Sequence, residues 1–305
     1  MATLPSVSVV IPTRARPELL RRAVASVLGQ EYDGVVECVV VHDGEDPGPG
    51  ETLQSGRRRV VAVRNQRRRG AAAARNHGLL HAKGDYVALC DDDDVWLPGK
   101  LARQVEQLEA DASALGSCGA FVVRQDDRTT TRLPGLTRVR HADLLRSRVA
   151  TVHPSTLVFR RERLLTEVGL FDEDVPGSYG EDYDWLLRAT RVGDIATVGV
   201  PLAEVLWHSG SFFTGQWATI AQAIQYLLDK HDDLRADPKG SARLYGRLAF
   251  AQAALGDRNS ARRHAKAALA ADRKEMRAYL ALAASVGVLS PTWAMKVANA
   301  AGKAL

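Results

Sequence analysis

The chain is poor in cysteine and in aromatic residues. Its three cysteines, Cys38, Cys90 and Cys118, stand far apart in 305 residues. That spacing excludes a disulfide framework and fits no zinc pattern. The three are expected to be small core hydrophobes in a reducing setting. Aromatics make up 6% of the chain and do not interleave with its basic runs, which argues against a nucleic-acid partner. No G-x-G-x-x-G follows the first predicted strand, and no G-x-x-x-x-G-K-[ST] occurs. A dinucleotide fold and a P-loop nucleotidase are therefore both disfavoured. The long stretch without charge between Arg277 and Lys296 is Ala-rich and broken by Ser, Gly and Pro. It is too weak for a membrane span, though an interfacial contact is conceivable. A strand begins at Val7, so no signal peptide is expected and the expected location is cytoplasmic, with membrane association left open.

What remains is ordinary soluble composition, with 46% hydrophobic and 25% charged residues and a formal net charge of +5. A modest positive balance suits an anionic small molecule, an anionic polymer or a membrane surface. Val7–Ile11 is a β-branched run, expected as a buried parallel strand. Pro17 opens a helix at a position where its missing N–H costs nothing, and Gly29 stops it. Strands are predicted at Val35–Val41 and Val60–Val63, a helix at Ala71–Ala82, and a fourth strand from Asp85 to Cys90. The order β-α-β-loop-β-α-β predicts an α/β fold with a doubly wound sheet. Thr13, Asp43, Asn65 and Asp91–Asp94 follow the four strands, and such clustering at one sheet edge marks a ligand crevice.

Four adjacent carboxylates, Asp91 to Asp94, repel one another. A divalent cation with hard oxygen ligands, Mn²⁺ or Mg²⁺, would relieve them. A solvated turn or a helix N-terminal cluster explains them equally well from the run alone. The Arg57–Arg59 and Arg67–Arg69 runs are expected as solvated faces.

Four stretches in order, Ser8-Val-Val-Ile-Pro-Thr13, Val39-Val-Val-His-Asp-Gly44, Ala74-Arg-Asn-His-Gly78 and Gly84-Asp-Tyr-Val-Ala-Leu-Cys-Asp-Asp-Asp-Asp-Val-Trp96, resemble family 2 glycosyltransferases of the GT-A fold. The likeness covers about residues 6–212. It implies inverting transfer of a sugar from a nucleotide-diphosphate donor, with UDP-sugars the expected class. By that resemblance Pro12, Thr13, Arg16, Asp43, Asn65, Arg75, Asp91 and Asp92 contact the nucleotide, and Asp43 accepts from the uracil N3–H. Asp91 and Asp93 match a DXD element, with Asp93 and His208 as metal ligands and Ser211 on the diphosphate. The family often has two acids where this chain has His42 and Asp43, so the pocket wall differs. Glu181 and Asp182 match the family's ED pair, which makes Asp182 the general base and Glu181 an acceptor-orienting group. Acids at a helix start also gain from the helix dipole, so capping is the plain alternative. Asp184 is expected to be structural, and Trp185 is either core or a stacking platform for the acceptor.

Between these motifs, Pro98–Ala110 reads as a helix, Leu115–Val123 as a strand, and 124–140 as a long polar loop. Gly169 is expected to cap a helix and Phe171 to lie in the core. From Gln216 the chain turns helical, and Ala254-Leu-Gly-Asp-x-x-x-Ala-Arg262 resembles a tetratricopeptide turn. One such pair cannot form a solenoid, so it is expected either as an appendage or as a surface for peptide, protein or a second copy of the chain. The expected division is a nucleotide-binding half (1–105), an acceptor-side half (106–212) and a helical extension (213–305). The acceptor class, whether glycan, lipid-linked glycan, natural product or peptide, is open. Two other classes also stay open: a non-catalytic binding module derived from a transferase, and a sugar-nucleotide nucleotidyltransferase. The second wants a Gly-rich basic signature that Ile11–Arg14 lacks.

Overall fold

In the computed structural model, residues 4–48, 52–125, 128–147, 152–207 and 215–290 are described. The first part runs β1 (Val7–Thr13), α1 (Pro17–Leu28), β2 (Val36–His42), β3 (Leu53–Ser55), β4 (Arg58–Arg64), α2 (Ala71–His81) and β5 (Tyr86–Leu89). It continues with β6 (Val95–Trp96), α3 (Lys100–Ala110), β7 (Gly116–Gln125), β8 (Arg128–Arg132), β9 (Arg138–Val139) and α4 (His141–Arg146). Then come β10 (Val158–Arg160), the single turn α5 (Arg161–Arg163), α6 (Glu181–Val192) and β11 (Ile195–Leu206). Helices α7 (Trp217–Lys230), α8 (Asp232–Ala236), α9 (Pro238–Ala254), α10 (Arg258–Ala271) and α11 (Met276–Ser285) follow.

The chain divides into two compact units. One holds residues 1–144, 148–173 and 181–209; the other holds 145–147, 174–180 and 210–305. The first is built on one mixed sheet in the order β3-β4-β2-β1-β5-β10-β7-β11-β6. Strands β4, β2, β1 and β5 are parallel, and β10 is inserted antiparallel between β5 and β7. Val7, Val9, Val10 and Ile11 are all fully buried, which is why β1 reads as a continuous apolar run and not as alternation. Helix α2 lies close on this sheet, because a Cβ at Gly78 would fall 2.3 Å from Val10 Cγ1. That close approach places the polar residues of α2, Arg75 and Asn76, next to the strand ends.

The 124–140 segment departs from expectation. Instead of a long loop it forms β8, antiparallel to β7, and β9, antiparallel to β11. Residues 128–131 of β8 are exposed, and an edge strand solvated on both faces needs no apolar pattern to announce it. Arg58 also departs from the solvated reading: its guanidinium donates to the carbonyls of Leu28, Gln30, Tyr32 and Gly34 and ties down the turn before β2. The three cysteines are buried and free. Gly169, at φ 81°, ends a helical turn, and Phe171 is buried.

The helical unit packs α9, α10 and α11 around a core of small residues: Ala249, Ala265, Ala268, Ala278 and Ala281 around Phe250. On α7, Ile220, Ile224, Leu227 and Leu228 are buried, as their helical spacing predicts. Among the described residues no helix is long and apolar enough to cross a membrane.

Candidate active site

The carboxyl ends of β1, β2 and β5 and the start of α6 supply the polar side chains of one cluster. Thr13, at the end of β1, donates to Asp92 Oδ2 at 2.7 Å. Arg16 reaches Asp92 Oδ1 at 3.2 Å and Asp93 Oδ2 at 2.9 Å, while half of its own side chain stays exposed. Pro12 lies just before Thr13 in β1, opposite Val41 of β2. At the end of β2, Asp43 is 7% exposed. It accepts from Asn65 Nδ2 at 2.8 Å and from the Gly70 backbone N–H at 3.0 Å. Asn65 also holds the basic loop, donating to Arg68 O and accepting from Arg67 N.

Arg75 is the centre of the cluster. It is 6% exposed, and its two terminal nitrogens donate to Asp91 Oδ1 and Glu181 Oε1, each at 2.8 Å. The acidic run after β5 is thereby joined to the ED pair opening α6, a separation of 90 residues in sequence. One cation faces three carboxylates here, since Asp182 acts on Asp91, Glu181 and Arg75 alike. The three cannot all ionise at ordinary cost. Burial works against charge on Asp91, yet Arg75 and then His153 hold it below the usual carboxylate range. Burial and the neighbouring Asp182 push Glu181 up to about 7, against the pull of Arg75. Asp182 is partly exposed, whereas Glu181 is buried. Asp182 Oδ1 accepts from the Tyr183 N–H at 2.8 Å.

A second cluster adjoins Asp91. Ser155 Oγ accepts from the Asp91 backbone N–H at 3.0 Å and donates its own hydroxyl to Asp94. Asp94 is 2% exposed, also accepts from Leu206 N at 3.2 Å, and stands 3.6 Å from His153 Nδ1. Burial, reinforced by Asp91, raises its pKa well above the ordinary value. Asp91, Asp94 and His153 each offer one ligand atom, and the three atoms lie within 4.8 Å of one another. Two hard carboxylate oxygens and an imidazole nitrogen suit Mn²⁺ or Mg²⁺.

Several expected site residues are placed differently. Trp185 is 1% exposed, stacked on Phe171 at 4.3 Å, edge-on to Phe159, and bonded through Nε1 to Gly169 O. A ring so enclosed presents no face to an acceptor, so the acceptor role is withdrawn. Asp184, expected to be structural, is so: it is fully buried and pairs with Arg188, which also caps the carbonyls of Val168 and Leu170. Asp93 faces Arg16 and is not in the trio that could hold a cation. His208 and Ser211 lie outside the described residues. Arg67 and Arg68 are exposed, as expected, and also reach Glu173. Glu173 also accepts from Asn76 Nδ2, whose amide brackets the Phe171 backbone at 2.7 and 2.9 Å. Asp94 is expected only as a member of the acidic run, and the sequence assigns no role to His153, Ser155, Asn76 or Glu173, which the structure places in or against the site. Polar side chains inside apolar runs, as in Val152-His-Pro-Ser-Thr-Leu-Val-Phe159, were the available signal.

Comparison with known proteins gives the same direction. A sequence profile described as glycosyl transferase family 2 matches residues 8–165. The uncharacterized glycosyltransferase YwdF of Bacillus subtilis (strain 168) is 31% identical over 228 residues, covering 73% of this chain and 82% of its own. Several other curated relatives are matched over 30% to 61% of their length. Among solved structures, S. aureus TarS 1-349 in complex with UDP-GlcNAc superposes with a TM-score of 0.64 at 16% identity, covering 98% of this chain and 92% of that one. The mannosyltransferase PcManGT from Pyrobaculum calidifontis, in complex with GDP-Man and Mn²⁺, gives 0.53 at 23% identity, covering 98% and 88%. These likenesses carry the GT-A arrangement of a mixed sheet flanked by helices.

Proposed function

The chain belongs to glycosyl transferase family 2, and from that premise we propose that it moves a sugar from a UDP-sugar to a nucleophile of its acceptor, with inversion at the anomeric carbon. The observation that carries this reading is the Arg75 bridge, which holds the acids after β5 and the acids opening α6 in one cluster. The UDP-GlcNAc complex of TarS supports a UDP-sugar, while the GDP-Man complex of PcManGT supports a nucleotide-sugar donor in general. Asp43 supports a uracil base: each carboxylate oxygen has two lone pairs, so it can keep Asn65 and Gly70 and still accept from N3–H. Thr13, Arg16, Asn65 and Asp92 line the same sheet edge and would frame the nucleotide.

Asp182 takes the acceptor proton as the nucleophile attacks. It is the accessible member of the pair, while Glu181 is buried against Arg75 and orients the site. Asp91, Asp94 and His153 would hold a divalent cation. Such an ion, when bound, neutralises charge on the departing diphosphate. Arg75 adds fixed positive charge beside Asp91.

Asp182→Asn tests the assignment. Donor-dependent transfer should fall by about 10²–10⁴-fold, the usual worth of a general base. UDP should still raise the thermal midpoint of the variant as it does for the parent, because native-state binding is unchanged. Unaltered turnover would remove Asp182 from the mechanism. Absence of turnover in the parent with intact UDP binding would favour a binding module.

A further inference from the structure

The helical unit carries a concentration of charge that the transfer chemistry does not use. Residues 258–277 hold seven Lys or Arg against two Asp or Glu, a balance of +5 that equals the formal charge of the whole chain. Arg258, Arg262, Arg263, Lys266, Arg273 and Lys274 are all exposed, and none forms an ion pair with a described carboxylate. The nearby acids are engaged with the backbone, Glu275 also pairs with Arg277 at 3.1 Å, and Asp257 feels Arg263. Asp257 accepts from Ser260 N, Asp272 from Lys274 N and Glu275 from Arg277 N. On α10 the cations sit at i, i+4, i+5 and i+8, while Ala261, Ala265 and Ala268 fill the buried face. The four therefore share the outward side of the helix. Arg262 is partly spent on Ser285, whose hydroxyl and carbonyl it reaches at 3.1 and 3.2 Å.

Large apolar side chains are exposed in the same hairpin. Met276 is 65% exposed, Val288 80%, and Tyr279 46% with its hydroxyl on Arg273 O. We propose that this face docks on the surface of an anionic phospholipid bilayer. Unpaired cations attract the headgroups, and the apolar side chains enter the interface beneath them. A soluble polyanion would need the cations but would gain nothing from exposed Met and Val. The proposal stands apart from the transferase reading, since vesicle binding requires no donor.

Co-sedimentation of the full chain with vesicles tests it. Vesicles with about 30% phosphatidylglycerol in phosphatidylcholine should bind at least tenfold more tightly than pure phosphatidylcholine, and about 0.5 M NaCl should release the chain. Replacing Arg258, Arg263 and Lys266 together by Gln should weaken binding roughly a hundredfold, at roughly fivefold per cation. Arg262 is left in place because it anchors α11. Met276→Ser with Val288→Ser should weaken vesicle binding severalfold and leave binding to soluble polyphosphate unchanged. Equal binding to the two vesicle types overturns the proposal. So does full binding in high salt, or an apolar double variant that binds vesicles as the parent does.

Discussion

The acidic edge of the sheet unit and the basic hairpin of the helical unit treat charge in opposite ways. In the first, Arg75 and Glu181 are withdrawn from water, Asp91 keeps 24% of its side chain exposed, and the three satisfy one another at 2.8 Å. In the second, six cations stand in solvent without a close ion pair to a described carboxylate, and only Arg263 acts on a nearby acid, Asp257. Desolvated pairs fix geometry and are expensive to break on one side. Exposed charges contribute little to folding and remain available to a partner. Conformational precision is therefore concentrated in the sheet unit, and electrostatic reach in the hairpin.

The hardest test of this contrast is Arg75→Met. Removing the guanidinium leaves Glu181 buried and Asp91 largely enclosed without their partner, for an expected loss of about 3 kcal/mol at pH 8. Arg75 keeps the Asp91 pKa low, so the stability it adds there is present above the unfolded carboxylate range and lost as pH falls through the folded pKa. In the variant both carboxyls can take up protons instead. The gap between variant and parent should therefore narrow between pH 8 and pH 5 in denaturant titrations. A gap that does not change with pH would mean that Arg75 acts through packing and not through charge.

Much of this edge was legible because parallel strands buried on both faces leave nearly continuous apolar runs, broken here only by Ser8 and Glu37, which bond one another. Val7–Ile11 and Val35–Val41 announce themselves, and the polar residues that follow mark the crevice. What was not legible depended on partners distant in sequence. Arg75 reads as a nucleotide contact until Asp91 and Glu181 are seen on its two nitrogens, 16 and 106 residues away. Asp94 looks like one more member of an acidic run, yet Ser155 and His153, some 60 residues on, bury it. Trp185 could have been core or platform, because helical spacing does not say which neighbour covers an aromatic face. Strand β8 has no apolar alternation to read, being an exposed edge.

Lys100 sharpens the comparison from inside the sheet unit. It is a buried cation without a carboxylate: fully enclosed, its Nζ donates to Gln104 Oε1 at 2.6 Å and lies 4.0 Å from the Trp96 ring centroid. Burial lowers its pKa to about 7. The folded state thus binds fewer protons than the unfolded state between pH 7 and the ordinary lysine range, and stability from this group rises with pH across that window. The cost is full below pH 7. Lys100→Met should remove up to about 4–5 kcal/mol of that cost there. It also leaves Gln104 Oε1 unpaired, which takes back about 1–3 kcal/mol. A net gain of about 2 kcal/mol at pH 6, shrinking toward pH 10, is expected from denaturant midpoints. A variant less stable than the parent at pH 6 would show that the ammonium is better accommodated than its surroundings indicate.

The smallest effect belongs to the hairpin, and its smallness is the point. Lys266 is exposed on α10 and forms no ion pair with a described carboxylate. Alanine is at least as good a helix former, so Lys266→Ala should change stability by no more than about 0.5 kcal/mol in either direction, with no dependence on salt. The same single change should still cost roughly fivefold in binding to anionic vesicles. Stability and surface affinity would then be carried by different residues of one hairpin, as expected where cations serve a partner and small residues hold the fold. A salt-dependent loss of more than about 1 kcal/mol on Lys266→Ala would instead place that ammonium in the hairpin's own electrostatics, and the contrast between the two regions would be one of degree.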